Sequence, residues 1–157
     1  VNRRLIFLSF FGAGLSKYAP GTMGTLAALP FGFLILHFLG ATTLFLTAAL
    51  LTVISIKEIN KYEAEGGEHD DCRIVMDEVA GTFVALSMTA TMSNLWLQAA
   101  LVFVFFRYLD IKKPSIIGVA ERKLNGGYGV MLDDILAGFF AGVLSWGVYK
   151  GLIFVGY

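Results

Sequence analysis

Two long runs of this sequence, residues 26–56 and 79–106, carry no Asp, Glu, Lys or Arg, and a third, 135–157, carries only Lys150. Such runs suit lipid, because a charge near the bilayer centre costs about 2.5–3.5 kcal/mol on insertion scales. The core of a soluble bundle fits worse, since its helices keep one polar face toward water. The lengths do not suit single crossings. One transmembrane helix needs about 20 residues, and these runs hold 31 and 28. Each is long for one helix and short for two. Pro30 and Gly40 punctuate the first. Thr89–Asn94 punctuates the second, with Ser93-Asn94 suited to a turn and a helix start. The pattern predicts an all-α membrane protein in which each run is a hairpin of two short hydrophobic helices.

Charge collects between the runs. Of 24 charged residues, eleven lie in 57–78 and nine in 107–134. If each hairpin goes in and returns, both segments and the N-terminus share one face, and their Lys and Arg make it the cytoplasmic face. If each run crossed once, the two segments would lie on opposite sides and their acids could never meet. Composition agrees: 157 residues suit one domain, 1–157, with 57% hydrophobic and only 15% charged residues, against about a quarter charged in soluble domains. Twelve basic and twelve acidic residues balance, which argues against bulk attraction to nucleic acid. The apolar content excludes disorder. The single cysteine, Cys72, excludes an intrachain disulfide and a Cys-only metal site. Leu5–Phe11, after Arg3 and Arg4, is at the lower length limit for a signal peptide and is read as part of the mature chain.

Two stretches at the edges of the apolar runs resemble each other: Met76-Asp77-Glu78-Val79-Ala80-Gly81 and Leu132-Asp133-Asp134-Ile135-Leu136-Ala137-Gly138. On a helix, residues four apart share a face, so Asp77 lies over Gly81 and Asp134 over Gly138. Glycines let helix backbones approach closely in a membrane. Packing through Gly81 and Gly138 would gather four carboxylates, and such a cluster at neutral pH demands a cation. All-oxygen ligands suit Mg²⁺, with Mn²⁺ or Ca²⁺ as alternatives. Helix-dipole stabilisation explains one acidic pair easily; two similar pairs, each beside a glycine, favour a shared metal site. Asp110, one turn after Arg107, is a further candidate ligand.

Arg107, Lys112 and Lys113 are candidate phosphate ligands, since arginine can grip phosphate with two hydrogen bonds. Arg122 and Lys123 are read in part as juxtamembrane charge. The glycine-rich stretches Gly12–Lys17 and Pro20–Thr25 lead into the first apolar run. There Thr22 or Thr25 could cap a helix, free backbone N–H groups could bind an anion, and Lys17 and Thr22 join the phosphate candidates. No Gly-Lys-Ser/Thr follows, so this is not a P-loop. Cys72 has Glu78 six positions on, where a thiol phosphatase needs arginine. His69 could donate a proton or simply be solvated.

These residues resemble the phosphatidylglycerophosphatase A family. The similarity lies in Gly12–Leu26, in His69-Asp70 with Ile74–Glu78 and Gly81, in Phe106-Arg107 through Pro114, and in Gly126–Asp134 with Ala137-Gly138, all in order. Departures at Ser16-Lys17 and Lys113–Ile116, where the family more often has proline, fall in loops and leave the acids intact. The resemblance implies a Mg²⁺-dependent phosphomonoesterase of the bacterial inner membrane that converts phosphatidylglycerophosphate to phosphatidylglycerol and phosphate. Asp77, Glu78, Asp133 and Asp134 would be catalytic and hold the ion with Asp110, while the basic residues neutralise phosphate oxygens. Attack by water is expected over an aspartyl-phosphate route, because no protein nucleophile is evident. A metal-dependent lipid phosphotransferase is less favoured, as the Asp-Gly-x-x-Ala-Arg signature is absent. A divalent-cation carrier would place its acids inside the apolar runs, whereas these sit at the edges.

Overall fold

The computed structural model describes residues 3–114 and 124–156, and every regular element among them is helical. In chain order these are α1 (Arg3–Leu8), a 3₁₀ turn (Ala13–Leu15), α2 (Pro20–Ala64), α3 (Met76–Met88), α4 (Leu95–Lys112) and α5 (Gly127–Phe154).

Helix α2 contains the whole first apolar run. It starts at Pro20, with Ala19 as the residue before it and no side-chain cap. Proline suits that position, because its missing N–H would have lacked a helical partner anyway. Neither Thr22 nor Thr25 is the cap; Thr25 Oγ1 donates to the Gly21 carbonyl at 2.9 Å inside the first turns. Pro30 does not interrupt the helix, but Gly40 does, with φ 84° and ψ 171°, a conformation open to glycine. The chain turns back there. On the way in, a Cβ on Gly24 would meet Val75 and one on Gly32 would meet Leu86, so this arm runs beside α3 in the same sense. On the way back, Thr52 and Phe45 share a cleft with Val84, and Glu58 accepts from Arg4 Nε at 2.9 Å.

The expected hairpin is present, but its arms are longer than expected. The helix takes in Pro20–Thr25 and Lys57–Ala64 beyond the uncharged run. At 1.5 Å per residue the arms span roughly 30 and 36 Å, enough to cross a bilayer. Phe31, Leu34, Phe38, Phe45, Leu46 and Leu50 stand exposed on its surface, an exterior suited to lipid. Both α2 and α5 are long and apolar enough to cross a membrane.

The second run is a hairpin of α3 and α4 with its turn at Thr89–Asn94. Asn94 Oδ1 accepts from the Leu97 N–H at 3.0 Å and caps α4. Gln98, buried, donates to the Thr89 carbonyl at 3.0 Å and to its hydroxyl at 2.9 Å, so an α4 side chain satisfies the end of α3. With 13 residues, α3 reaches only about 20 Å. Rather than facing lipid it is the central helix, buried continuously from Val79 to Leu86. Helix α5 lies against it. A Cβ on Gly138 would stand 2.1 Å from the Gly81 carbonyl oxygen, and one on Gly142 would meet Met88 and Ala85. The far end is tied by Tyr149 Oη to Ser93 Oγ at 2.9 Å.

At the opposite end, the link from α2 to α3 is locked onto α2. Arg73 grips Asp71 through Nε at 2.9 Å and Nη2 at 2.6 Å, while Tyr62 donates to the same carboxylate at 2.5 Å. The Arg73 guanidinium holds the Asp71 carboxyl well below the usual range, outweighing burial, and Tyr62 adds to it. The sign follows: this stabilisation is complete above the ordinary carboxylate pKa and is lost as pH falls through the lower folded value. Asp71→Asn is expected to loosen the link, read as faster amide hydrogen exchange over residues 66–75 at pH 7. Unchanged exchange would show that the lock contributes nothing.

Candidate metal and phosphate site

The acidic pairs sit where two helices begin. Asp77 and Glu78 occupy the first turn of α3, and Asp133 and Asp134 the second turn of α5. Because Gly81 and Gly138 press the two backbones together, one carboxylate oxygen each from Asp77, Glu78 and Asp134 falls within 4.8 Å of the others. Asp77 Oδ1, Glu78 Oε2 and Asp134 Oδ2 are shut off from solvent, and no hydrogen-bond donor reaches them among the described residues. Buried carboxylates left without donors, three to a cluster, are costly unless protons or a cation neutralise them. The donor set is wholly oxygen and anionic, which fits Mg²⁺.

The two other candidate ligands lie on the same cavity but are engaged by bases. Asp133 accepts from Lys113 Nζ at 2.8 Å and from the Asp134 backbone N–H at 3.0 Å. Asp110 pairs with Arg107 Nη1, which also lies 3.7 Å from Glu78 Oε1. Arg107 thus stands between the carboxylate cluster and Asp110, one turn along α4, as the spacing suggested. All seven residues line one open cavity of about 460 Å³, bordered also by Ala19–Gly21 and the link carrying His69–Cys72. Lys17, Thr22 and Lys112 are not among its lining residues; Lys17 and Lys112 are exposed. Arg122 and Lys123 lie outside the described residues.

Two features of the site were not legible in the motifs. Gly21 packs directly on it: a Cβ there would stand 2.1 Å from Glu78 Oε1 and 3.1 Å from Arg107 Nη1. The bare backbone at the start of α2 leaves room for the Glu78–Arg107 pair, and it aims the positive end of a long helix at the cavity. His69 Nδ1 lies 2.6 Å from Glu63 Oε1, joining the link to the end of α2 at the cavity rim. The sequence marked Pro20–Thr25 as a helix start whose N–H groups could bind an anion, but not the packing of Gly21 on Glu78, and nothing local marks Glu63 as a partner six residues from His69.

A carboxylate cluster whose donor atoms fit a hard cation, flanked by arginine and lysine in a polar cavity at one end of an apolar bundle, is an arrangement suited to a phosphate ester. Similarity to known proteins agrees. The family described as phosphatidylglycerophosphatase A matches residues 6–149. A phosphatidylglycerophosphatase A of Escherichia coli (strain K12) is 42% identical over 85% of this chain and 77% of its own length. The Haemophilus influenzae protein of that name is 37% identical over 88% of this chain and 83% of its own. A putative phosphatidylinositol-3-phosphatase of Bacteroides thetaiotaomicron is 37% identical over 85% of this chain and 86% of its own. No solved structure matches. With a family match across nearly its whole length and relatives this similar, the chain belongs to the phosphatidylglycerophosphatase A family.

Proposed function

We propose that the protein is a Mg²⁺-dependent lipid phosphatase of the bacterial inner membrane that removes the terminal phosphate of phosphatidylglycerophosphate. The observation that carries the reading is the three-carboxylate cluster beside Arg107 and Lys113 at the polar end of the bundle. Asp77, Glu78 and Asp134 would hold the ion, with Asp133 and Asp110 beside them. Bound there, Mg²⁺ supplies Lewis acidity toward the phosphoryl oxygens and toward water. Arg107 and Lys113 neutralise the remaining phosphoryl oxygens as charge moves in the transition state, exchanging part of their pairing with the acids for the substrate. The start of α2 at Pro20 and Gly21 presents its positive end to the same anion. Attack by water on phosphorus then releases phosphatidylglycerol and inorganic phosphate. The apolar exterior keeps the diacyl chains in lipid while the headgroup reaches a cavity at the bundle end.

Phosphate release by the purified protein tests this. Phosphatidylglycerophosphate in mixed micelles should be hydrolysed, EDTA should abolish turnover, and added Mg²⁺ should restore it. Full activity after rigorous chelation would defeat the metal reading. Release from phosphatidylinositol 3-phosphate alone would overturn the substrate assignment.

Sidedness has its own test. Cysteines placed at Glu65 and Lys112 in a Cys72→Ser background should react with an impermeant thiol reagent only from the cytoplasmic side. A cysteine at Lys150 should react only from the other side, because α5 carries that residue away from the site toward Ser93. Labelling of Glu65 and Lys112 positions from opposite sides would refute the arrangement.

A further inference from the structure

Hydrolysis of an alkyl phosphate leaves an alkoxide-like oxygen, and an alkoxide is a poor leaving group unless a proton reaches it as the bond breaks. The groups assigned so far do not supply that proton. The three clustered carboxylates serve the cation, and an arginine does not give up its proton in proteins. Lys113 is paired with Asp133.

His69 is placed differently. It lines the same cavity, with its ring at the solvent-reaching rim, and Nδ1 lies 2.6 Å from Glu63 Oε1. A carboxylate on Nδ1 orients an imidazole and stabilises its cationic form, which leaves Nε2–H as the proton to be transferred. The backbone around it makes a tight turn. Asp70, the next residue, has φ 54°, a left-handed turn conformation that aspartate accepts more readily than most residues. Arg73 and Tyr62 fasten Asp71 immediately after it, and a Cβ on Gly67 would stand 2.3 Å from the Tyr62 ring. The link is therefore held on both sides of His69, which fixes where its ring stands at the cavity.

We infer that His69, oriented by Glu63, is the proton donor to the leaving glycerol oxygen. This rests on the phosphatase reading above. As water's oxygen bonds to phosphorus, the bond from phosphorus to the glycerol oxygen breaks and its electron pair stays on that oxygen. The Nε2 proton passes to it, giving the free hydroxyl of the product lipid and a neutral imidazole. The attacking water sheds its proton to solvent, and the exposed ring is reprotonated from the same pool, so no proton is gained or lost over the cycle. His69 is then a catalytic residue and Glu63 a positioning residue.

The test compares leaving groups. With wild-type protein, His69→Gln and Glu63→Gln, phosphate release is measured from the natural lipid and from an alkyl-chain nitrophenyl phosphate, whose leaving group departs without a proton. His69→Gln should lower kcat on the lipid by about 10²–10³-fold and leave the nitrophenyl ester within a few-fold of wild type. Glu63→Gln should show the same pattern at smaller size. The bridging ¹⁸O isotope effect on the natural lipid should rise in His69→Gln, because the oxygen now leaves bare. This reads the step even where the aryl ester is turned over slowly. Equal losses on both substrates with an unchanged isotope effect, or no loss at all, would overturn the inference. Failure of the wild-type protein to hydrolyse the lipid would overturn the phosphatase reading beneath it.

Discussion

Asp77→Asn and Asp134→Asn are each expected to abolish phosphate release while leaving the protein folded. Each carboxylate offers the cluster an oxygen that nothing else satisfies among the described residues. An amide is nearly isosteric but neutral, and a poorer ligand for a hard cation. The loss should exceed the roughly 10–100-fold that removal of an outer-shell partner costs a metal site. High Mg²⁺ should restore part of it, because the defect is in ion affinity. Arg107→Ala separates the two functions of the cavity. It leaves the three carboxylates in place and removes a phosphate contact. Its kcat/KM should fall about 10²–10³-fold, the size of one lost transition-state donor, and Mg²⁺ should not restore it. Steady-state kinetics across a Mg²⁺ series distinguishes the two patterns. Rescue of Arg107→Ala by Mg²⁺, or near-normal turnover by Asp134→Asn, would show that the roles have been assigned wrongly.

Gly138→Ala is expected to destabilise the protein more than any other single methyl addition on α5. The added carbon would stand 2.1 Å from the Gly81 carbonyl oxygen and 2.9 Å from its Cα, both main-chain atoms in the buried central helix. No rotamer change relieves that contact, so α3 and α5 must separate. Overpacking a well-packed core typically costs 1–3 kcal/mol, and a clash with backbone belongs at or beyond the upper end, about 3 kcal/mol or more. The carboxylates move apart with the helices that carry them, so apparent Mg²⁺ affinity should fall as well. Gly147→Ala and Gly151→Ala are the controls. A Cβ at either meets nothing within 4 Å, and both should be neutral or slightly stabilising, since alanine favours a helix over glycine by about 0.5–1 kcal/mol. Thermal unfolding in detergent measures all three. Gly138→Ala unfolding at the wild-type temperature would mean that the close approach of α3 and α5 is not required.

The sequence alone was sufficient for the kind of protein this is and for the two helices that bear its acids. Lipid imposes one strong condition, the absence of charge over a helical length, and that condition is visible in 26–56, 79–106 and 135–157 without tertiary information. A turn at Ser93-Asn94 and the shared faces of Asp77 with Gly81 and Asp134 with Gly138 follow from residue type and the 3.6-residue period; for the first run the residues offered both Pro30 and Gly40, and only the structure places the turn at Gly40. Arm length was misjudged because charged residues at a membrane surface do not stop a helix; Lys57–Ala64 continue α2 into water. Burial of α3 could not be read either, since a helix apolar on every side looks alike whether lipid or protein covers it.

The division of labour within the site belongs to the tertiary structure. Five acids in the motifs are chemically interchangeable, yet three converge, one is held by Lys113 and one by Arg107. That partition depends on how far around each helix a side chain points and on which base lies across the cavity, quantities fixed by helix–helix contact. The same holds for Gly21 against Glu78 and for Glu63 against His69. A local pattern records which face of a helix a residue takes. Only the packing of one helix on another decides what that face meets.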